Sequence, residues 1–338
     1  MDALKKEAML WDPMNGKVSC NLCSYRCTIK DGKRGICDVR EAWDGKLYTL
    51  NYGKASSVSP DPIEKKPLYH FHPGSTVFSL GTVGCNFRCI HCQNFSISQA
   101  SLDESMGFLA DYSPEKTIEL AEDFESDGIA WTYNEPTIWF EFTLDTSMLA
   151  KDKGLYTVYV TNGYMTEEAL DTIGPYLDAM NVDVKAFNEK FYREVAKAKM
   201  QPVLDTVERA IKKGIHVELT YLIIPGKNDS SEEIGDFVDW ASGINESIPV
   251  HFSRFHPDYQ LTEIDSTPIS TLENARKIGL EKLRYVYTGN VVGHEGDDTF
   301  CYNCGEMLIK RWGFVVKSID LTHDNKCPEC SAKIHIIR

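Results

Sequence analysis

The sequence predicts an α/β fold in which repeating strand–helix units wind a parallel sheet. Two observations predict it. From residue 76 onward, short β-rich runs alternate with helical patterns, and nearly every run ends in a polar motif. Ahead of that rhythm, residues 15–75 are rich in cysteine, glycine and proline and hold only short strand-like pieces such as KLYTLNYG.

In chain order, the first strand is TVFSLGT (76–82), followed by a cysteine-bearing loop. A helix is predicted near 114–127: Ser113 suits its N-cap, Pro114 its first position, and Gly128 lies past its end. GIAWTY (128–133) is the second strand, with a helix near 137–152 behind it. LYTVYVT (155–161) precedes a helix near 166–174, and DAMNVDVKA (178–186) precedes one near 201–213. HVELTYLII (216–224), VHFSRF (250–255) and RYVYTG (284–289) follow, interleaved with helices near 231–243 and 270–282. About six or seven such units fit an incomplete barrel as well as an open sheet. Both architectures place chemistry at the carboxyl ends of the strands. There the sequence sets NEP (134–136), TNG (161–163), Asp183 with Lys185, PGKND (225–229), FHPD (255–258) and TGN (288–290).

At 338 residues the chain has room for one large domain with small appendages. Its 42% apolar and 25% charged residues suit a globular enzyme. No apolar run approaches the roughly 18–20 residues of a membrane span. The N-terminal MDALKKEAMLWDP lacks the apolar core and cleavage site of a secretion signal, so a cytoplasmic protein with no membrane partner is expected. The net charge of −14 argues against a nucleic-acid partner, which needs a basic surface.

The eleven cysteines fall into three groups with none left over. An odd count, no export signal and pairs two or three residues apart favour metals over disulfides. Cys301, Cys304, Cys327 and Cys330, in CYNCG and CPEC, read as the two knuckles of a closed ribbon. That ribbon holds structural zinc or, in the rubredoxin manner, a single iron. Cys20, Cys23, Cys27 and Cys37 are spaced less regularly and suit either zinc or an auxiliary 4Fe–4S cluster. Cys85, Cys89 and Cys92 are three thiolates on one tight loop, where Gly84 and Asn86 allow a sharp bend. Three such ligands can hold three irons of a 4Fe–4S cube and leave the fourth iron open. The expected modules are a cysteine-rich segment over 1–75, a β/α domain over 76–295 and a four-cysteine ribbon over 296–338.

The spacing C-x3-C-x2-C, directly after the first strand of a repeating β/α domain, resembles the signature of the radical SAM superfamily. More narrowly, six stretches resemble the radical SAM component of the AmmeMemoRadiSam system, itself similar to the activating enzymes of glycyl-radical proteins. They are CNLCSYRCTIKDGKRGICDVR (20–40), DPIEKKPLYHFHPGS (61–75), GTVGCNFRCIHCQN (81–94), WTYNEPTIWFEF (131–142), YVTNGY (159–164) and NVDVKAF (181–187). His91 stands where the superfamily often has a large apolar or aromatic residue.

The resemblance implies a partial (β/α)6 TIM-like barrel and a 4Fe–4S cluster on Cys85, Cys89 and Cys92, with S-adenosylmethionine on the open iron. It implies reductive cleavage of that cofactor to a 5′-deoxyadenosyl radical, which abstracts hydrogen from a substrate. By the same resemblance, Asn134 and Glu135 stand at the motif that receives the methionyl ammonium, and Asn162 lines the ribose or carboxylate side. Asp183 and Lys185 alternate across one residue and so face the barrel interior; the resemblance points them at the cofactor carboxylate and ribose, where a structural ion pair is the other reading. His256 is a further candidate for the pocket rim. An external one-electron donor such as flavodoxin or ferredoxin, association with Memo-type or AMMECR-type proteins, and a protein or peptide substrate are implied as well. Glycyl-radical activation is the alternative reaction. A non-catalytic zinc-ribbon adaptor is the rival of another class, and it predicts no ligand in the barrel mouth.

Overall fold

The computed structural model describes residues 6–338; residues 1–5, which open the stretch read above for a secretion signal, lie outside the described residues. The largest sheet has eight strands. β1 (Ser57–Pro62) pairs antiparallel with β2 (Thr76–Gly81). From β2 onward every pair is parallel, through β3 (Gly128–Trp131), β4 (Tyr156–Thr161), β5 (Ala179–Asp183), β6 (His216–Ile223), β7 (Val250–Arg254) and β8 (Val286–Gly289). Each strand lies beside its neighbour in sequence. That order winds in one direction, as a barrel does, whereas a doubly wound sheet reverses at a switch point. The sheet ends at β1 and β8, so the barrel is partial, with one parallel strand more than a six-unit count.

Six main helices connect the strands: α1 (Pro114–Asp123), α2 (Phe140–Asp152), α3 (Glu167–Ile173), α4 (Gln201–Lys212), α5 (Ser231–Ile244) and α6 (Ile269–Leu280). Side-chain caps set three of their starts. Ser113 accepts from the Lys116 amide, Thr166 from Ala169 and Ser230 from Glu233. The strands are buried on both faces, which is why they read as nearly continuous apolar runs. Gly128 has a different role from the expected helix stop. α1 ends at Asp123, and Glu125 takes the left-handed turn at φ +49°. Gly128 opens β3, where a Cβ would lie 2.2 Å from the Tyr156 ring.

Two small sheets precede the barrel: Trp11–Met14, Lys17–Cys20 and Thr28–Lys30 form one, and Lys6–Glu7, Lys46–Thr49 and Arg40–Trp43 the other. After the barrel, β9 (Thr299–Phe300), β10 (Met307–Trp312) and β11 (Val315–Ile319) form an antiparallel ribbon. No described helix is long and apolar enough to cross a membrane.

Polar contacts lock the ribbon to the barrel. His70 is fully buried; its Nδ1 lies 2.7 Å from the His335 carbonyl and its Nε2 2.6 Å from the Tyr287 hydroxyl. Burial, the largest influence, pushes the His70 pKa down to about 3, so the ring stays neutral in the folded state. The unfolded chain takes this proton near pH 6.5, and the folded chain only near pH 3. Stability therefore falls as pH drops from 6.5 toward 3, by up to about 1.4 kcal/mol per pH unit for this group. His70→Gln, which offers a similar donor and acceptor without titrating, should lessen the stability lost between pH 7 and pH 5 by about 2 kcal/mol. Urea titrations of both proteins at the two pH values check this, and an unchanged difference contradicts it.

Candidate functional site

The cysteine loop leaves the carboxyl end of β2 and is fixed by the chain around it. Gly84 has φ +87°, and a Cβ there would stand 2.5 Å from the Cys37 carbonyl oxygen, so the close approach needs glycine. Asn134, in the turn after β3, accepts from the Thr82 amide at 3.2 Å and donates to the Gly84 carbonyl at 2.8 Å. Arg88 donates to the Cys85 carbonyl at 2.7 Å and also to the Ile36 carbonyl. The loop is thereby held from both sides before any ligand arrives.

Cys85, Cys89 and Cys92 line one cavity of about 410 Å³ at the carboxyl end of the sheet. The opposite walls come from successive strands: Asn134 after β3, Asn162 after β4, Asp183 and Lys185 at β5, Thr220 on β6, Ser253 on β7 and Asn290 after β8. Asn162 donates to the Asn86 side chain at 2.7 Å and toward the Cys85 sulfur at 3.8 Å. The Phe87 amide lies 3.4 Å from that sulfur. Donors of this kind tune a thiolate ligand and the potential of a cluster bound to it.

The ionisable groups are strongly shifted. Burial chiefly, then Glu135 and Cys89, pushes the Cys85 thiol well up, and burial pushes Cys89 up to about 12. Uncoordinated, both are protonated and poor nucleophiles; coordination to a metal removes the proton. Lys185 pairs with Asp183. Burial disfavours its charge, but Asp183 and the Cys89 thiol outweigh burial and hold the ammonium above its usual pKa. The Asn228 amide fixes the Lys185 backbone at 2.8 Å and also caps the loop at Ile224. PGKND thus serves the site from behind, and Asn228 is completely buried.

Two expected ligands stand elsewhere. Glu135 is fully buried behind the wall, and its oxygens accept from the Thr137 amide, the Thr161 hydroxyl and the Asn162 amide at 2.7–2.9 Å. It caps the short helix Pro136–Trp139 and holds the turn that carries Asn162. His256 does not reach the cavity. It is exposed beyond β7, its Nδ1 3.5 Å from the Pro257 carbonyl, and Ser253 and Asn290 form that part of the wall.

The structure also adds residues that the motifs left without a role. Lys65, Lys66 and Tyr133 line the cavity, as does the ribbon residue Phe314. Asp61 gathers them, accepting from Lys65 at 2.8 Å, Lys66 at 2.6 Å and Tyr133 at 2.6 Å. Burial pulls the Lys66 pKa down to about 8 against the pull of Asp61. Tyr133 has φ +72°, a strained conformation for a bulky residue, held by its contact with Asp61. The run DPIEKKP was the available signal, but nothing local ties it to the turn after β3.

The three cysteine groups differ in sulfur geometry. The ligand atoms of Cys301, Cys304, Cys327 and Cys330 all lie within 4.8 Å of one another, with sulfur pairs at 3.5 and 3.6 Å. A tetrahedron with metal–sulfur bonds of about 2.3 Å has edges of about 3.8 Å. The ribbon is a metal-binding group of that shape. Cys85, Cys89 and Cys92 share one cavity without that close packing. Three thiolates on three irons of a cube need such a spread, so the loop fits a 4Fe–4S cluster better than a single ion. Two buried nitrogens beside it, Asn86 Nδ2 and His91 Nδ1, have no protein partner.

A partial β/α barrel with three cysteines after its first parallel strand defines the class, and the chain contains a radical SAM superfamily domain. The sequence profile of that superfamily matches residues 79–241. Over 336 residues the chain is 46% identical to an uncharacterised protein of Methanocaldococcus jannaschii, covering 98% of this chain and 99% of that one. It is 22% identical over 200 residues to the pyruvate formate-lyase-activating enzyme of Clostridium pasteurianum, covering 54% of this chain and 81% of that one. In fold it is similar to Streptococcus suis SuiB bound to S-adenosylmethionine, with a TM-score of 0.50 and 13% identity over 68% of this chain and 53% of that one. A radical SAM domain implies a 4Fe–4S cluster and S-adenosylmethionine.

Proposed function

We propose that the protein is an enzyme that reductively cleaves S-adenosylmethionine and uses the product radical to take hydrogen from a protein or peptide substrate. One observation carries the reading. The three cysteines, Asn162, Asp183 and Lys185 line a single cavity at the carboxyl ends of the parallel strands. When bound, a 4Fe–4S cluster with S-adenosylmethionine supplies one-electron cleavage of a sulfur–carbon bond, for which an external donor of the flavodoxin or ferredoxin kind provides the electron. Cys85, Cys89 and Cys92 would hold the cluster.

The chain's own residues do the rest. Lys185 presents a fixed cation to a carboxylate, and Asp183 accepts from hydroxyl or ammonium groups. Asn134 and Asn162 offer amide edges along the same wall. Glu135 acts through Asn162, as a positioning residue. The enclosing barrel excludes water from the reacting atoms. Zinc is assigned to the ribbon, where it would be structural. The similarity to pyruvate formate-lyase-activating enzyme supports a protein substrate, and glycyl-radical activation is its narrower form. Association with Memo-type or AMMECR-type proteins rests on the sequence motifs alone. The cavity and its polar wall count against a non-catalytic adaptor.

Anaerobic reconstitution, reduction with dithionite and addition of S-adenosylmethionine should yield methionine and 5′-deoxyadenosine. A folded, cluster-loaded protein that forms neither would overturn the proposal. Lys185→Ala should weaken S-adenosylmethionine binding by about 10- to 100-fold, the loss of one charge-assisted contact, while cluster absorption is unchanged. Equilibrium binding to the reconstituted protein measures this, and unaltered affinity removes Lys185 from the cofactor wall.

A further inference from the structure

Beyond the central loop, Cys20, Cys23, Cys27 and Cys37 converge in the N-terminal segment. Cys20 ends the strand Lys17–Cys20, and its amide donates to the Cys27 carbonyl at 2.9 Å. Left-handed residues bend the chain beside two of the thiols: Arg26 at φ +46° before Cys27, and Asp38 at φ +65° after Cys37. Cys20, Cys23 and Cys37 are buried and Cys27 is half-buried. The four are electrostatic neighbours, for Cys23 is influenced by all three of the others.

Their sulfurs are nevertheless spread. Among the described residues, only the C-terminal four bring three or more metal-ligating atoms within 4.8 Å of one another. A single tetrahedral ion requires edges of about 3.8 Å, which the ribbon shows and this tetrad does not. Sulfurs distributed over several irons stand farther apart, and the tetrad shares that looser packing with the central loop.

A second feature points to a ligand that accepts a hydrogen bond. Arg40 is 1% exposed, and its Nη1 lies 3.7 Å from the Cys20 sulfur while Nη2 pairs with the buried Glu141. Its Nε has no protein partner. An enclosed guanidinium beside Cys20 and Cys37, with one N–H left over, offers a hydrogen bond to thiolate or sulfide sulfur of the kind that tunes a cluster.

The tetrad also abuts the central loop. The Cys37 carbonyl presses on Gly84, and Arg88 ties Ile36 to Cys85. The Ser24 amide donates to the Tyr164 carbonyl at 2.9 Å. Tyr25 and Phe87 each pack on Tyr164 with ring centroids 5.1 Å apart, which joins the two cysteine groups through aromatic rings.

We propose that Cys20, Cys23, Cys27 and Cys37 hold a second iron–sulfur cluster, one loop away from the cluster of the central triad. The test uses the full chain, produced and purified anaerobically, with Cys85, Cys89 and Cys92 all changed to alanine. The expected result is iron and acid-labile sulfide retained in equal amounts, about two to four of each per chain, with an electron paramagnetic resonance signal after dithionite reduction. Adding Cys23→Ser and Cys27→Ser should remove both iron and sulfide. A triple variant with no sulfide, whether it carries about two zinc ions per chain or a lone iron, overturns the proposal. If the triple variant does not fold, the unsubstituted chain decides. Iron and sulfide above about four per chain support the second cluster, and about four or fewer with two zinc ions overturn it. These readouts do not depend on turnover, so they stand apart from a failure of the proposed reaction.

Discussion

Cys89→Ala is expected to abolish formation of 5′-deoxyadenosine, leaving only the background seen without protein. Cys89 is the central member of the triad, a buried residue that lines the cavity and is electrostatically linked to Lys185, Cys92 and Asp183. Two cysteines cannot hold three irons of a cube, so the loop would lose the proposed cluster and not merely its potential. The fold should lose only about 1 kcal/mol, because a small buried side chain is replaced by a slightly smaller one. Product analysis by chromatography, beside a urea denaturation curve, separates the two effects. Cleavage retained at a tenth or more of the original rate would exclude Cys89 as a ligand.

The second large effect lies at the opposite end of the barrel. Glu218, near the start of β6, is completely buried and accepts four hydrogen bonds. Its partners are the Tyr69 and His70 amides at 3.0 and 2.7 Å and the rings of His216 and His251 at 3.0 and 2.7 Å. Burial raises its pKa, but the two histidines outweigh burial and hold the carboxyl well below the usual carboxylate range. A depressed carboxylate contributes stability at neutral pH that is lost as pH falls toward the folded pKa. Glu218→Gln puts an amide NH2 among donors and removes the charge. It should cost about 3–5 kcal/mol, the range for breaking a buried charged network. Denaturant midpoints measure the loss, and a change below about 1 kcal/mol would mean that the histidines adjust freely. Cluster absorption per folded molecule should not change, because the network is remote from the cysteine loop.

Much of the barrel was legible from the chain because its signals are local. Ser113, Pro114 and the apolar runs at 128–131 and 216–223 set their elements within a few residues, through capping, fixed φ and burial on both faces. The position of the polar motifs at strand ends was equally legible, since strand direction follows from the strand–helix rhythm. What escaped depends on contacts across the fold. Glu135 has a motif position that promises an open carboxylate, and only the neighbouring Thr161 and Asn162 show it to be enclosed. His256 sits in a rim motif, yet the turn after β7 carries it outward. Lys66 and Tyr133 lie 67 positions apart and meet through Asp61, a pairing no periodicity encodes.

The ribbon's turn has a consequence for economy of cofactor. Phe314, beside Gly313 between β10 and β11, forms part of the cavity wall. A metal held by Cys301, Cys304, Cys327 and Cys330 would support that turn, since small four-cysteine ribbons owe their folding to the ion. A ribbon stripped of its metal would leave the cavity with a missing pane. In the proposed reaction, cleavage would continue while thiols or other weak-bonded hydrogen donors reaching the cavity quenched the radical, and the symptom of metal starvation would be waste: more S-adenosylmethionine consumed for each substrate converted.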